Sequence, residues 1–358
     1  MKIGILLHPF GEKKPAGLGR AIWELTRAIL AQDSENEYVI FLRKKPSKPL
    51  DLPGRNWRME ILDKKFFWLD RGLKKSPPLD LYVFNTPILP LFFKPKRSIA
   101  VVYDFAYKKF KAENFKEFFK TLLLFRYHIF SIKKADKIIA ISQATKNDII
   151  KFVGIDESKI KVMALGFNKI CALAEEKIET PQKFFLSVGV LKERKNVLGT
   201  VQAFEEFLKI DQDYKLVIAG KGQGNYFEKI KDFIKKENLE ERVIFLNFVS
   251  DGQLCYLYRK AQALIYPSFC EGFGLPILEA MDCGLPVITS NISSLPEVAG
   301  EATLLVNPNN IDQISEAMEK IVRDEKLRQE LSEKGRAWAS EFSWEKTARN
   351  FLEIIRNL

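Results

Sequence analysis

Two carboxylates eight positions apart, Glu271 and Glu279, flank a glycine-rich turn in the stretch Glu271-Gly272-Phe273-Gly274-Leu275-Pro276-Ile277-Leu278-Glu279-Ala280. Gly272 and Gly274 make that turn pliable, and Pro276 suits the first turn of a helix, so a helix is expected to run through Ala280 and Met281. The start of such a helix presents free N–H groups and about half a positive charge, which together make an anion site. Glu271 lies before those N–H groups and Glu279 two turns into the helix. An anion held between them has a hydrogen-bond acceptor on each side, which fits a sugar diphosphate with a hydroxylated ring at either end.

A second cluster of charge lies in Ser187-Val188-Gly189-Val190-Leu191-Lys192-Glu193-Arg194-Lys195-Asn196. It reads as a strand followed by a turn with adjacent cations. A guanidinium and an ammonium at one turn can stabilise the negative charge that gathers on a departing diphosphate. By spacing alone, a solvated basic turn is the favoured reading. Near the N-terminus, Gly17-Leu18-Gly19-Arg20 follows a first strand and opens a helical pattern over Ala21 to Leu30. It offers close backbone approach to phosphate or to a substrate oxygen, or is a simple strand-to-helix turn. The full GxGxxG fingerprint is absent, because position 22 is Ile. Asp211-Gln212-Asp213 has the form of a metal-holding DxD, but it precedes a strand and is expected in a surface loop. His8 and His128 are too few and too separated for a metal centre. His8, at the end of the first strand, either lines a ligand site or is a core or loop histidine.

These residues need a scaffold, and the sequence supplies one. Apolar runs rich in β-branched residues alternate with helical periodicity from end to end, the pattern of parallel sheets covered by helices. Strands are expected at Lys2 to Leu7, Tyr38 to Leu42, Leu81 to Val83, Ile99 to Val102 and Ile138 to Ile141, and again at Phe184 to Val188, Lys215 to Ala219, Val243 to Leu246, Ala263 to Ile265 and Pro286 to Thr289. The fold class is α/β with two open sheets. Between them, Leu173 to Gln182 is polar and loses both periodicities, as a connection between domains does. We expect an N-terminal domain over 1–172, a second domain over 173–342, and an amphipathic C-terminal helix over 343–358 with Ala348, Phe351 and Ile355 on its apolar side.

The 358 residues are enough for two domains, and a 46% hydrophobic, 29% charged composition is that of a globular protein. The four cysteines, Cys171, Cys255, Cys270 and Cys283, show no CxxC spacing and sit in or beside apolar runs, which reads as buried free thiols in a reducing cytosol. The N-terminal apolar run is too short for a signal sequence, and no run approaches the roughly 20 residues of a spanning helix. Charge is uneven: residues 1–170 hold 33 Lys and Arg against 17 Asp and Glu, and residues 171–358 hold 24 against 29. The basic half is expected to face an anionic partner, unless its lysines merely solubilise a surface. Within that half, Phe105 to Lys134 interleaves Phe110, Phe115, Phe118, Phe119, Leu122, Leu123, Phe125 and Phe130 with Lys108, Lys109, Lys111, Lys116, Lys120 and Arg126. A basic helix with an aromatic face either lies in a membrane interface or buries that face in its own domain.

Taken together, these motifs resemble glycosyltransferase family 4. Glu271 to Glu279 matches that family's E-x7-E motif, set between Tyr266-Pro267-Ser268 and Gly284-Leu285-Pro286-Val287, with Ser294-Leu295-Pro296-Glu297-Val298 beyond. Arg194-Lys195-Asn196, Gly220-Lys221-Gly222 and Phe342-Ser343-Trp344 extend the likeness over nearly the whole chain. The resemblance implies a GT-B fold: two Rossmann-like domains facing across a cleft, the last helix crossing back to the first domain, and transfer with retention at the anomeric carbon. By matched position it implies that Glu271 contacts the transferred sugar and Glu279 the ribose. Backbone N–H groups at Phe273, Gly274 and Leu275 would hold sugar and diphosphate, Arg194 and Lys195 would grip the diphosphate, and Gly17 and Gly19 would approach it from the other domain. Gly189, Gly220 and Val249 complete the expected donor-binding set.

Two departures bear on mechanism. Where the family usually has a His-Asp pair, this chain has Tyr103-Asp104, both carried here as candidate catalytic residues. Tyrosine donates a hydrogen bond but, with an ordinary pKa of about 10, is a poor base at neutral pH. Val190 stands where many members place a further Arg, leaving the cationic work to Arg194 and Lys195. The expected activity is therefore metal-independent, cofactor-free sugar transfer from a nucleotide diphosphate donor; the Arg-Lys-Asn turn resembles that of the family's mannosyltransferases, which implies GDP-mannose, with UDP-linked sugars and deoxythymidine-diphosphate rhamnose as the alternatives. The expected partners are a glycan or lipid-linked acceptor and an anionic membrane surface, with no nucleic acid. The expected location is the cytoplasm, peripheral on the inner face of the membrane. A sugar-nucleotide epimerase of the same architecture and a nucleic-acid-binding protein are the alternatives.

Overall fold

Strand-forming apolar runs do line up into sheets in the computed structural model, which describes residues 1–8, 17–46, 49–63, 66–110 and 115–358. The chain forms two units, Met1–Gly166 with Phe342–Leu358, and Phe167–Glu341. In the first unit β1 (Lys2–Leu6), β2 (Glu37–Leu42), β3 (Trp57–Ile61), β4 (Leu81–Phe84), β5 (Ser98–Val102), β6 (Lys137–Ala140) and β7 (Ile160–Val162) form one sheet in the order β3-β2-β1-β4-β5-β6-β7. In the second, β8 (Phe184–Val188), β9 (Lys215–Ala219), β10 (Val243–Phe245), β11 (Leu264–Tyr266), β12 (Val287–Ser290) and β13 (Leu304–Val306) form another, in the order β10-β9-β8-β11-β12-β13. All pairings between these strands are parallel. Both units are Rossmann-like, as the alternating pattern implies.

Central strands such as β5, buried at all five positions, are covered on both faces and so read as unbroken apolar runs. The strands that the apolar runs do not reveal are β3, β7 and β13. Each is the edge of its sheet, and the pattern of β3 (half-buried, exposed, exposed, half-buried, half-buried) leaves it little apolar signal.

The C-terminal helix Trp344–Arg356 buries Ala348, Phe351, Leu352 and Ile355 and packs on the helix Leu18–Gln32 of the first unit. Ser343 caps its start by accepting from the Lys346 N–H at 3.1 Å, while Thr347 Oγ1 donates to the Ala164 carbonyl at 3.0 Å and Gln32 Nε2 to that of Glu345 at 2.9 Å. The chain changes unit between Gly166 and Phe167, ahead of the expected 172/173 divide, because the short 3-10 turn Ile170–Ala172 packs on the helices Asp251–Lys260 and Leu275–Asp282 of the second unit.

That packing overturns one reading of the cysteines. Cys255 and Cys270 are buried thiols, but Cys171 and Cys283 form a disulfide, their Cα atoms 5.6 Å apart and 112 positions apart in sequence. Spacing along the chain carries no trace of a pairing that only the docked 3-10 turn creates. Among the described residues no helix is long and apolar enough to cross a membrane.

Candidate active site

In the second sheet the strand order reverses between β8 and β11, and in open α/β sheets ligands bind beyond the carboxyl ends of strands at such a switch point. The chemistry-bearing residues collect there. Arg194 and Lys195 follow β8 on a 3-10 turn, Glu193–Lys195, which ends at Asn196 in the left-handed conformation (φ 54°). Asn196 Nδ2 anchors the turn by donating to the Pro308 carbonyl at 2.7 Å. Glu271 follows β11, and the two loops are joined where the Phe269 N–H donates to the Arg194 carbonyl at 2.8 Å.

Glu271 is the centre of this cluster. Its carboxylate receives Arg194 Nη1 on one oxygen at 2.7 Å and Lys195 Nζ on the other at 2.5 Å, and its side chain is only 8% exposed. Burial by itself would raise its pKa, but the charges of Lys195 and Arg194 outweigh burial and hold the carboxyl below its ordinary value. The Tyr266 hydroxyl, at the end of β11, donates to Glu271 Oε1 at 3.1 Å and accepts from Lys195 Nζ, which lies 4.6 Å from its ring centroid. Burial first, and then the Glu271 charge, push the Tyr266 phenol pKa well up, so this hydroxyl stays a donor. The loop backbone is pinned as well: the Glu271 N–H donates to Ser293 Oγ at 3.1 Å, and Ser294 Oγ reaches the Glu271 and Phe273 carbonyls at 3.0 and 2.9 Å.

The helix Leu275–Asp282 starts immediately after, with Pro276 in its first turn and no side chain capping it among the described residues. Gly274 precedes it at φ 121°, a conformation that favours glycine, and a Cβ there would lie 2.9 Å from Leu295 Cδ2. Glu279 is half-buried on the same helix, and its Oε2 accepts from the fully buried Tyr258 hydroxyl at 3.3 Å. The turns after β8 and β9 touch: a Cβ on Gly220 would lie 1.8 Å from the Gly189 carbonyl oxygen, so only glycine fits. A Cβ on Gly189 would in turn lie 3.5 Å from Lys195 Cε, which places Gly189 beside the cation cluster. Val249 is half-buried in the loop after β10.

The second unit thus assembles Glu271, Arg194, Lys195, Gly189, Gly220, Phe273, Gly274, Leu275 and Glu279 around the carboxyl ends of its strands. Gly17, Gly19, Tyr103 and Asp104 belong to the first unit. Gly17 is exposed before the helix Leu18–Gln32 and Gly19 is buried in its first turn. Tyr103 follows β5, its hydroxyl buried with no hydrogen-bond partner among the described residues, and burial raises its pKa. Asp104 Oδ1 accepts from the Ala106 N–H at 3.0 Å, so its carboxylate holds the local turn. Asp211 and Asp213 precede β9, at the opposite end of the strands from Glu271, and both pair with Lys183, at 3.9 and 3.0 Å. His8 stacks edge-on with Trp68, and His128 is buried with Nδ1 2.6 Å from the Tyr107 hydroxyl. Tyr258 and Ser293 carry no motif and were invisible in the sequence, whereas Tyr266 and Ser294 lie inside motifs whose roles the sequence left unassigned.

The aromatic segment divides in two. In the helix Phe115–Lys134 the far half packs inward through His128, Ser131 and Ile132, and Phe125 meets Phe105 and Phe152. The near half does not: Phe115, Phe118, Phe119 and Leu123 are 77%, 53%, 48% and 64% exposed, at helical spacing, with Lys116 and Lys120 exposed between them. Phe110 is half-buried, and Lys111 lies outside the described residues.

Comparison with known proteins adds to this geometry. Residues 172–338 match the family model described as "Glycosyl transferases group 1". An "O-antigen chain mannosyltransferase B" of Escherichia coli is 32% identical over 64% of this chain and 62% of its own length. A "Serotype-specific mannosyltransferase WbdA" of Escherichia coli is also 32% identical, over 68% of this chain but 31% of its own length. The chain therefore spans under two thirds of these curated relatives. A solved sucrose-phosphate synthase from Thermosynechococcus elongatus shares the fold over 99% of this chain and 98% of its own, with a TM-score of 0.79 at 20% identity. The segment matched by this family model, residues 172–338, is the one that holds Arg194, Lys195, Glu271 and Glu279.

Proposed function

We propose that the chain is a retaining glycosyltransferase of family 4 that moves mannose from GDP-mannose to a glycan or lipid-linked acceptor without a metal ion. The observation that carries this reading is the buried Glu271 carboxylate, paired with both Arg194 and Lys195 beside the start of the helix Leu275–Asp282. The mannosyltransferase names of the curated relatives support transfer over epimerisation and mannose over other sugars.

In this mechanism the donor diphosphate draws Arg194 and Lys195 from Glu271 and sits against the helix start, where N–H groups and the helix dipole favour negative charge. The two cations neutralise the charge that builds on the leaving phosphate, the work a divalent ion does elsewhere. Freed of its partners, Glu271 faces the sugar and stabilises positive charge developing at the anomeric centre. Glu279 holds the ribose hydroxyls, its orientation set by Tyr258. The acceptor attacks from the side the diphosphate leaves, and the departing phosphate oxygen takes the acceptor proton, so no protein nucleophile is needed. The test is turnover of GDP-mannose with the product's anomeric configuration read by NMR, in excess EDTA. Inversion, or activity lost on chelation and restored by Mg²⁺ or Mn²⁺, refutes the corresponding part.

The acceptor side of the proposal is a membrane surface. The exposed Phe115, Phe118, Phe119 and Leu123 lie among the cations of a basic half-chain, and each Lys or Arg near an anionic surface contributes about 1 kcal/mol. The chain will sediment with vesicles containing anionic lipid, bind neutral ones more weakly, and leave the anionic ones at high salt. Equal binding to both kinds of vesicle, or to neither, overturns this docking.

A further inference from the structure

The second unit has another cavity, of about 830 Å³, at the opposite end of its strands from Glu271, where Gln262 leads into β11 and Pro286 into β12. Lys169, Arg259, Arg328 and Arg336 line it, against the two carboxylates of Asp282 and Glu333. The disulfide Cys171–Cys283 forms part of its wall and fixes two of the guanidiniums. Arg259 Nη2 donates to the Cys171 carbonyl at 2.7 Å, and Arg336 Nη2 to the Cys283 carbonyl at 3.3 Å. Arg259 also pairs with Glu175 and Arg328 with Glu325, but among the described residues Lys169 and Arg336 have no carboxylate within ion-pair distance. Arg336 lies so close over Gly284 that a Cβ there would be 2.2 Å from its Nη2.

We propose that this cavity is a second binding site, separate from the Glu271 cluster, for a small phosphate-bearing molecule with a hydroxylated body. Like charges gathered and held by backbone carbonyls repel one another until an anion joins them, and guanidinium forks suit phosphate oxygens. The volume lies in the range of small-molecule sites, about 300–1,000 Å³. Asp282 and Glu333 would oppose a bare anion, but they accept hydrogen bonds from hydroxyl groups, which is why the ligand carries a hydroxylated body as well as phosphate.

The test is calorimetry on the full chain with hexose 6-phosphate, inorganic phosphate and the uncharged hexose, at ionic strength matched with chloride. Hexose 6-phosphate is expected to bind saturably and more tightly than phosphate, and the hexose alone not to bind here. Arg336→Gln and Arg259→Gln should each weaken it about tenfold or more, the worth of a charged hydrogen bond, while Arg194→Gln at the other site leaves it unchanged. Because Lys169 is exposed, Lys169→Gln tests the site without touching the disulfide wall and should also weaken binding. Absence of saturable binding, binding unmoved in all three cavity variants, or loss in Arg194→Gln overturns the proposal. Displacement of the probe by phosphatidic acid vesicles would overturn the small-molecule assignment in favour of a lipid headgroup.

Discussion

Replacing Glu271 by Gln keeps the shape of the side chain and removes the counter-ion of two cations at once. Lys195 is 12% exposed and Arg194 29%, so the charges left behind are poorly hydrated, Lys195 more so. Removing one partner from a buried pair costs about 3–5 kcal/mol, and the water that Arg194 retains puts this case near the lower end, about 3 kcal/mol. For a unit of this size that is a fall of about 10 °C in Tm. On the proposed mechanism the same vacancy improves the site for diphosphate, which no longer competes with a carboxylate for Arg194 and Lys195. Thermal unfolding of Glu271→Gln with and without GDP should therefore show a less stable free protein and a larger ligand-induced rise than in the parent, together with a fall in kcat. A free variant that melts within a degree or two of the parent, or equal GDP shifts in both, would refute the view that Glu271 is the resting counter-ion of the phosphate-gripping pair.

Other expectations follow from the same geometry. Glu279→Ala should weaken nucleoside diphosphate binding about 10- to 100-fold by calorimetry, with a smaller change in kcat, since its contact persists after the sugar departs. Gly220→Ala should cost several kcal/mol in denaturant unfolding, because its Cβ would lie 1.8 Å from the Gly189 carbonyl oxygen; parent-like stability would contradict that contact. His128 is held by burial at a pKa of about 4, against 6.5 for the ordinary group, so the unfolded chain takes up its proton first as pH falls. Its contribution is full above about pH 6.5 and fades toward pH 4, by up to about 3 kcal/mol, and His128→Asn should flatten that part of the stability profile.

What the sequence made legible was what is local. Glu271, Gly274 and Glu279 are read from one ten-residue stretch, because the turn, the proline and the helix that position them are consecutive. Buried central strands such as β5 and β8 are read from their unbroken apolar runs. The edge strands β3 and β7 are not, because half of what they show faces water and so carries no apolar signal. The cations that pair with Glu271 come from the loop after a different strand, and only the fold shows that its two carboxylate oxygens bridge Arg194 and Lys195 while the Tyr266 hydroxyl is shared between Glu271 and Lys195. Tyr258, deep in another helix, is a long-range hydrogen bond that no spacing reports. The aromatic face of Phe115–Lys134 was ambiguous because it serves both readings, buried at one end and exposed at the other.

The bond between Cys171 and Cys283 closes a covalent ring, and Arg194, Tyr266, Glu271 and Glu279 all lie within the stretch it encloses. A protease that cuts once between those cysteines severs the backbone without separating the pieces, so the nicked chain migrates as one band until it is reduced. In the chain-entropy picture a ring of this length removes about 4–5 kcal/mol of freedom from the unfolded state, and that restraint survives a single cut only as a tether between two ends. Resistance to nicking would then report how well the second unit is closed by its own side chains, and reduction before or after the cut would separate that contribution from the tether's.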